Sequence, residues 1–246
     1  MPDSNIVGII PCRFQSSRFP GKPLISINGK PMMWHVYQKA LASKSLNDVF
    51  IATDDQRIAK SAKDHNLKFV MTKNTHLTGT DRVSEVAEKI DADFYVNIQG
   101  DEPLIDKDHI REIVSSILKS RDSDITAINA YASIIKPSDI LNTNVVKVII
   151  DVNSNAIAFS RQPIPYPMAA SIKYYQQLGL YAFKKSALDL YSKCMPNYLE
   201  IAEGIEMYRL IENGYKVKMI ELDSPSISVD TPADLIKVKA VIENNN

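Results

Sequence analysis

Short, continuous apolar runs alternate with amphipathic stretches along most of this 246-residue chain. Runs such as Val7-Gly8-Ile9-Ile10 and Phe94-Tyr95-Val96-Asn97-Ile98 are apolar without strict alternation, which suits strands covered on both faces. They predict strands at Ile6–Ile10, Val49–Thr53, Lys68–Met71, Phe94–Ile98 and Ile125–Tyr131. Between them, helices are predicted over Met32–Ser43, Gln56–His65, Thr80–Ile90 and Asp108–Ser120, with Thr78 or Thr80 as a cap. Strands alternating with helices mean an α/β fold with a doubly wound, mostly parallel sheet.

Beyond about residue 140 the pattern changes. Val145–Val152 and Ala156–Phe159 read as adjacent strands joined by the turn Asn153-Ser154-Asn155. Arg161 to Tyr175 is rich in proline and tyrosine and reads as an extended arm. A strand at Leu178–Phe183 and a helix at Lys185–Lys193 follow. A helix over Ala202–Asn213 is closed by Gly214, then come a strand at Lys216–Glu221 and a last helix over Pro232–Ile242. No repeat or flexible linker breaks the chain, so residues 1–246 are expected to form one domain. A smaller lobe or dimer contact is expected at about residues 155–205.

Composition narrows the function classes. Hydrophobic content of 45% and charged content of 24% are those of an ordinary soluble protein. Formal net charge is zero, so an anion site has to be local, and a nucleic-acid partner is not expected. No apolar run approaches the ~20 residues of a membrane span, and Met1 to Asn5 shows no secretory signal. Cys12 and Cys194 match no metal spacing and read as free thiols in a reducing cytoplasm. Cys12 is expected to pack at a strand end rather than to react.

Candidate chemistry sits in four places. The first is the loop after the first strand, Pro11 to Pro23. It gathers Arg13, Arg18 and Lys22 with Ser16, Ser17 and Gly21 at the carboxyl end of a buried strand, where α/β sheets bind ligands. Such a loop suits a triphosphate, although its spacing is not that of a Walker loop. The second is Gln99-Gly100-Asp101-Glu102-Pro103. A carboxylate at a strand's end beside a triphosphate loop is where a Mg²⁺ ligand belongs; Glu102 is either a supporting group or simply exposed. The third is Asp230-Thr231-Pro232, which by itself reads as a helix cap. The fourth is Thr72 to Arg82, where Thr78, Gly79 and Thr80 offer amides and hydroxyls for a base or ribose and Arg82 adds a cation. His76 there reads as a hydrogen-bonded loop residue rather than a metal ligand.

Together these segments, with Asn28-Gly29-Lys30-Pro31-Met32, Ala52-Thr53-Asp54 and Phe159-Ser160-Arg161, resemble the CMP-Kdo synthetase family, the 3-deoxy-manno-octulosonate cytidylyltransferases. The resemblance runs from about residue 6 to 240, and Asn97-Ile98-Gln99-Gly100-Asp101-Glu102-Pro103 is its most specific part. It implies a nucleotide-diphospho-sugar transferase-like fold and a cytoplasmic homodimer. The implied reaction joins CTP and a 2-keto-3-deoxy sugar acid into a CMP-sugar and pyrophosphate, for lipopolysaccharide or capsule. It further implies Mg²⁺ on Asp101 and Asp230, against the cap reading of Asp230. Arg13, Lys22 and Asp101 then carry catalysis. Arg13, Ser16, Arg18, Lys22, Thr78, Gly79, Arg82 and Gln99 hold the nucleotide. Gln99, Arg161, Gln177, Tyr181, Glu206 and Met207 hold the sugar.

Two positions depart from the family pattern. Gln177 stands where relatives carry a His that contacts the sugar acid, and Met207 where they carry a Gln. Both fall on the sugar side, so the expected substrate is Kdo or a close analogue, an amino-substituted or other ulosonic acid among them. Two other readings compete: a cytidylyltransferase of the same fold for a non-ulosonic substrate, and a non-catalytic protein that binds CTP or CMP-sugars.

Overall fold

A computed structural model describes residues 4–15, 19–168 and 172–244. Ser16 and Arg18 of the anion loop lie outside the described residues. The central sheet is built on β1 (Ile6–Pro11), which pairs in parallel with β4 (Asp48–Thr53) on one side and β6 (Phe94–Ile98) on the other. Outward from β4 lies β5 (Phe69–Met71), also parallel. Beyond β6 comes β10 (Tyr175–Lys184), antiparallel to β6 and to its other neighbour β7 (Ala127–Ser133). At the edge, β11 (Val217–Glu221) runs parallel to β7. The sheet is therefore mostly parallel, with β10 running against its neighbours in the middle of the order β11-β7-β10-β6-β1-β4-β5.

Burial on both faces follows the pleat. Ile6 and Ile10 point to one face of β1, and Val7 and Ile9 to the other. The first face packs on α1 (Met32–Ala42), α2 (Gln56–Asp64) and α4 (Lys107–Lys119). The second packs on α3 (Gly79–Lys89), α6 (Lys185–Lys193) and α8 (Tyr208–Glu212).

Several boundaries differ from the sequence reading. The expected helix over Ala202–Asn213 is two short helices, α7 (Tyr198–Glu203) and α8, because Gly204 takes a left-handed φ of 63° and turns the chain between them. β10 starts at Tyr175, inside the expected arm, and its first residues also pair with β8 (Lys147–Ile150). β8 in turn pairs with β9 (Ala156–Ser160), so this region extends the sheet. Unforeseen were α5 (Pro137–Leu141) and the hairpin of β2 (Ser26–Ile27) with β3 (Lys30–Pro31). α9 (Pro232–Asn244) closes the described chain.

Candidate active site

The carboxyl ends of β1 and β6 open into a cavity of about 480 Å³. Arg13, Lys22, Gln99, Asp101 and Asp230 line one part of it, and His76, Thr78, Gly79, Arg82, Glu200 and Glu206 another. The chain thus brings the first, second and fourth sequence segments, and Asp230 of the third, to one place.

The anion loop is closed at its neck by the Gly21 amide, which donates to the Phe14 carbonyl at 2.8 Å. The Arg57 guanidinium lies 3.3 Å above the Phe14 ring and fixes it from outside. A single 3-10 turn at Lys22–Leu24 then carries Lys22 inward. Its ammonium donates to Asp101 Oδ2 at 2.7 Å and to Asp230 Oδ1 at 3.1 Å. Burial alone would lower the pKa of this ammonium, but Asp101 and Asp230 outweigh it and the net shift is upward.

The two carboxylates are placed by backbone contacts. Gly100 lets the turn after β6 press against β1: a Cβ there would stand 2.8 Å from the Pro11 carbonyl oxygen and 2.9 Å from Cys12 Sγ. The Val229 amide donates to the Asp101 carbonyl at 2.9 Å and sets Asp230 beside it. Capping at α9 falls to the next residue. The Thr231 hydroxyl and amide donate to Asp234 Oδ2, and the Asp234 amide donates back to Thr231 Oγ1. Asp230 is thereby left to reach Lys22. Asp101 and Asp230 converge on one cation, and Mg²⁺ needs only one or two protein carboxylates when phosphate and water supply the remaining oxygens. The residues fit that ion. Among the described residues no group of three or more His, Cys, Asp or Glu forms a metal cage. Glu102, whose role the sequence left open, sits behind the pair; burial and the Asp101 charge push its carboxyl up to about 8. Cys12 is buried, and burial and Asp101 push its thiol well above the usual range, which suits a packing role.

The N-terminus of α3 also lines the cavity. Thr78 and Asp81 form a reciprocal capping box. The Gly79 and Thr80 amides, each at 3.0 Å, donate to the Glu206 carboxylate, which also takes the Thr80 hydroxyl. Arg82 reaches the cavity edge, but its guanidinium is buried against Asp54 at 3.1 Å and Thr72. His76 pairs with the buried Glu85, which also accepts from the Lys73 amide at 2.8 Å and the Lys89 ammonium at 2.6 Å.

The remaining residues expected at the sugar do not line this cavity. Arg161 donates to the carbonyls of Glu203 at 2.7 Å and Thr143 at 3.0 Å. Gln177 Nε2 donates to Asn129 Oδ1 at 2.8 Å. Tyr181 lies opposite Asn97 and Asn129 in the sheet and is 9% exposed. Met207, at the start of α8, is fully buried in the core. Arg209 is the residue that sequence reasoning passed over. It is buried and paired with Glu200 and Asp81, and the signal for it was a cation three residues after Glu206 on a helix.

A profile described as "Cytidylyltransferase" matches residues 7–220. The 3-deoxy-manno-octulosonate cytidylyltransferase of Geotalea daltonii is 40% identical over 245 residues, covering 95% of this chain and 96% of that protein. The Escherichia coli enzyme of the same name is 38% identical over 240 residues, covering 97% and 96%. A solved CMP:2-keto-3-deoxy-manno-octonic acid synthetase complexed with CTP superposes with a TM-score of 0.93 at 36% identity, covering 99% of this chain and 100% of that one.

Proposed function

Because the chain belongs to the 3-deoxy-manno-octulosonate cytidylyltransferase family, we propose that it is a Mg²⁺-dependent enzyme that moves CMP from CTP to the anomeric hydroxyl of a 2-keto-3-deoxy sugar acid and releases pyrophosphate. The observation that carries this reading is Lys22 held between Asp101 and Asp230 on the wall that also presents Arg13. Arg13 and Lys22 meet the triphosphate and offset the charge that grows on it as the α-phosphate is attacked. Asp101 and Asp230 would hold Mg²⁺, which when bound polarises phosphate oxygens and orients the two reacting groups. Thr78 and Gly79 take the nucleotide end, with Arg82 bracing the loop behind them.

The sugar is read as a relative of Kdo. Both amide hydrogens of Asn129 go to the carbonyls of Leu178 and Leu180, so its oxygen accepts from Gln177. That bond engages one Gln177 N–H and leaves its second N–H and a neutral acceptor oxygen where the family pattern has an ionisable ring. The enzyme is assigned to the cytoplasm and to a homodimer. Exposed Tyr166 and Met168 on the arm and Tyr198 on α7 support such a contact.

Pyrophosphate release is the test, with CTP, Mg²⁺ and a panel of Kdo, amino-substituted Kdo and other ulosonic acids. The expected result is Mg²⁺-dependent turnover that is best with an analogue. Best turnover with Kdo itself refutes the altered-sugar reading alone. CTP binding with no pyrophosphate from any sugar acid would refute the sugar-acid reading and favour a non-ulosonic substrate or a binding protein.

A further inference from the structure

We propose that Arg209 is a positioning residue that ties α7 to the start of α3 beside the cavity, so that the α7–α8 corner and the nucleotide loop move as one body. The inference rests on the reading of the cavity as a CTP site. Arg209 is 3% exposed, and its fork is spent in two directions. Nε and Nη2 donate to the two oxygens of Glu200 at 2.8 and 2.6 Å. Nη1 donates to Asp81 Oδ1 at 2.6 Å. The guanidinium lies over the Tyr191 ring of α6, 4.0 Å from its centroid.

Each partner leads to the cavity. Glu200 lines it directly from α7. The other oxygen of Asp81 accepts from the Thr78 amide at 3.0 Å and the Thr78 hydroxyl at 2.9 Å, and Thr78 lines the cavity as well. Three residues before Arg209, Glu206 grips the Gly79 and Thr80 amides, so one turn of chain clasps the start of α3 twice. Gly204, in its left-handed conformation, makes the turn between α7 and α8 in this corner.

A planar fork is needed for this geometry. A lysine keeps the charge but cannot serve Glu200 and Asp81 in two fixed directions. Removing the charge leaves the buried Glu200 carboxylate and the partly buried Asp81 carboxylate without their shared cation, beside an anionic ligand.

The test compares wild type with R209K and with R209M/E200Q, which removes the buried pair together. CTP affinity is measured by calorimetry without sugar acid, alongside the melting temperature and the KM values of both substrates. Loss of charge-assisted bonds of this kind predicts a CTP Kd raised roughly tenfold or more, with KM rising for both substrates and kcat changing less. A purely structural role would lower the melting temperature and leave both KM values in place. Hydrogen exchange on the wild-type protein is the second measurement. CTP is expected to raise protection at Gly79 and Thr80 and also across Tyr198–Glu212. A folded variant with wild-type CTP affinity, or protection confined to Gly79 and Thr80, overturns the proposal. Wild-type protein that fails to bind CTP refutes the functional reading instead.

Discussion

Lys22 and Asp101, 79 residues apart in sequence, meet at 2.7 Å, and Asp230 closes on the same ammonium from a third segment. One cation thus holds two acidic groups in register before any substrate arrives. Replacing Asp101 by Asn removes a charge from this set and keeps its shape. D101N is expected to lose roughly 10²–10³-fold in kcat, on the scale of removing one preorganised electrostatic group, with little change in melting temperature. K22M is expected to lose activity and also stability, because it leaves both carboxylates without their shared partner. Adding D230N to K22M restores part of the melting temperature and none of the activity. Initial rates and thermal melts of the four proteins check this, and a K22M enzyme with near-normal kcat would refute the assigned role.

Gly100 sets how closely the acidic turn approaches β1. A methyl group at that position meets a carbonyl oxygen and a sulfur, both inside contact distance. G100A is expected to cost about 1–3 kcal/mol of stability through overpacking. It should also displace Asp101 from Lys22, so Mg²⁺-dependent activity falls further than stability alone explains. Chemical denaturation and Mg²⁺ titration of the activity separate the two effects.

The pH response follows from Glu85. Burial would raise its pKa, but the Lys89 ammonium, the Lys73 amide and His76 outweigh it and bring the carboxyl down to about 2 from 4.5. A depressed carboxyl pKa stabilises the fold fully above the unfolded value and loses that contribution as pH falls from 4.5 towards 2. E85Q is therefore expected to be less stable than wild type at neutral pH by up to about 3 kcal/mol. The gap should close as pH drops below 4.5, as read by urea unfolding across that range. Because Glu85 holds His76 on the cavity wall, E85Q should also weaken CTP binding at neutral pH.

Much of the architecture was readable because it rests on local, repeated signals. Continuous apolar runs marked β1, β4 and β6, and helical periodicity marked α1 to α4 and α6. What was unreadable depended on single residues whose meaning is set by distant partners. Gly204 falls inside the helix expected over Ala202–Asn213, yet its left-handed φ divides α7 from α8. Asp230 and Thr231 are both good caps, and in the fold Thr231 exchanges bonds with Asp234 while Asp230 reaches Lys22. Met207 stands one residue after the cavity-facing Glu206 and turns into the core instead. A change of direction over one position is invisible without the helix start that causes it.

Gln177 is where sugar choice is expected to be tuned. One N–H of its amide donates to Asn129 at 2.8 Å, and Asn129 is itself fixed by two backbone carbonyls. A histidine at this position can keep one N–H on Asn129 and offer its second nitrogen, with or without a proton, to the substrate. Q177H is therefore expected to shift the ratio of kcat/KM between Kdo and its analogues towards Kdo. One hydrogen bond to a buried polar partner sets the scale at roughly tenfold. The KM for CTP should stay constant, since Gln177 lies off the nucleotide cavity. The shift should grow as pH falls through the range in which an imidazole takes up its proton, a dependence the glutamine enzyme lacks at this position. Initial rates with each sugar acid at several pH values measure both effects. An unchanged ratio at every pH would remove Gln177 from the determinants of sugar choice.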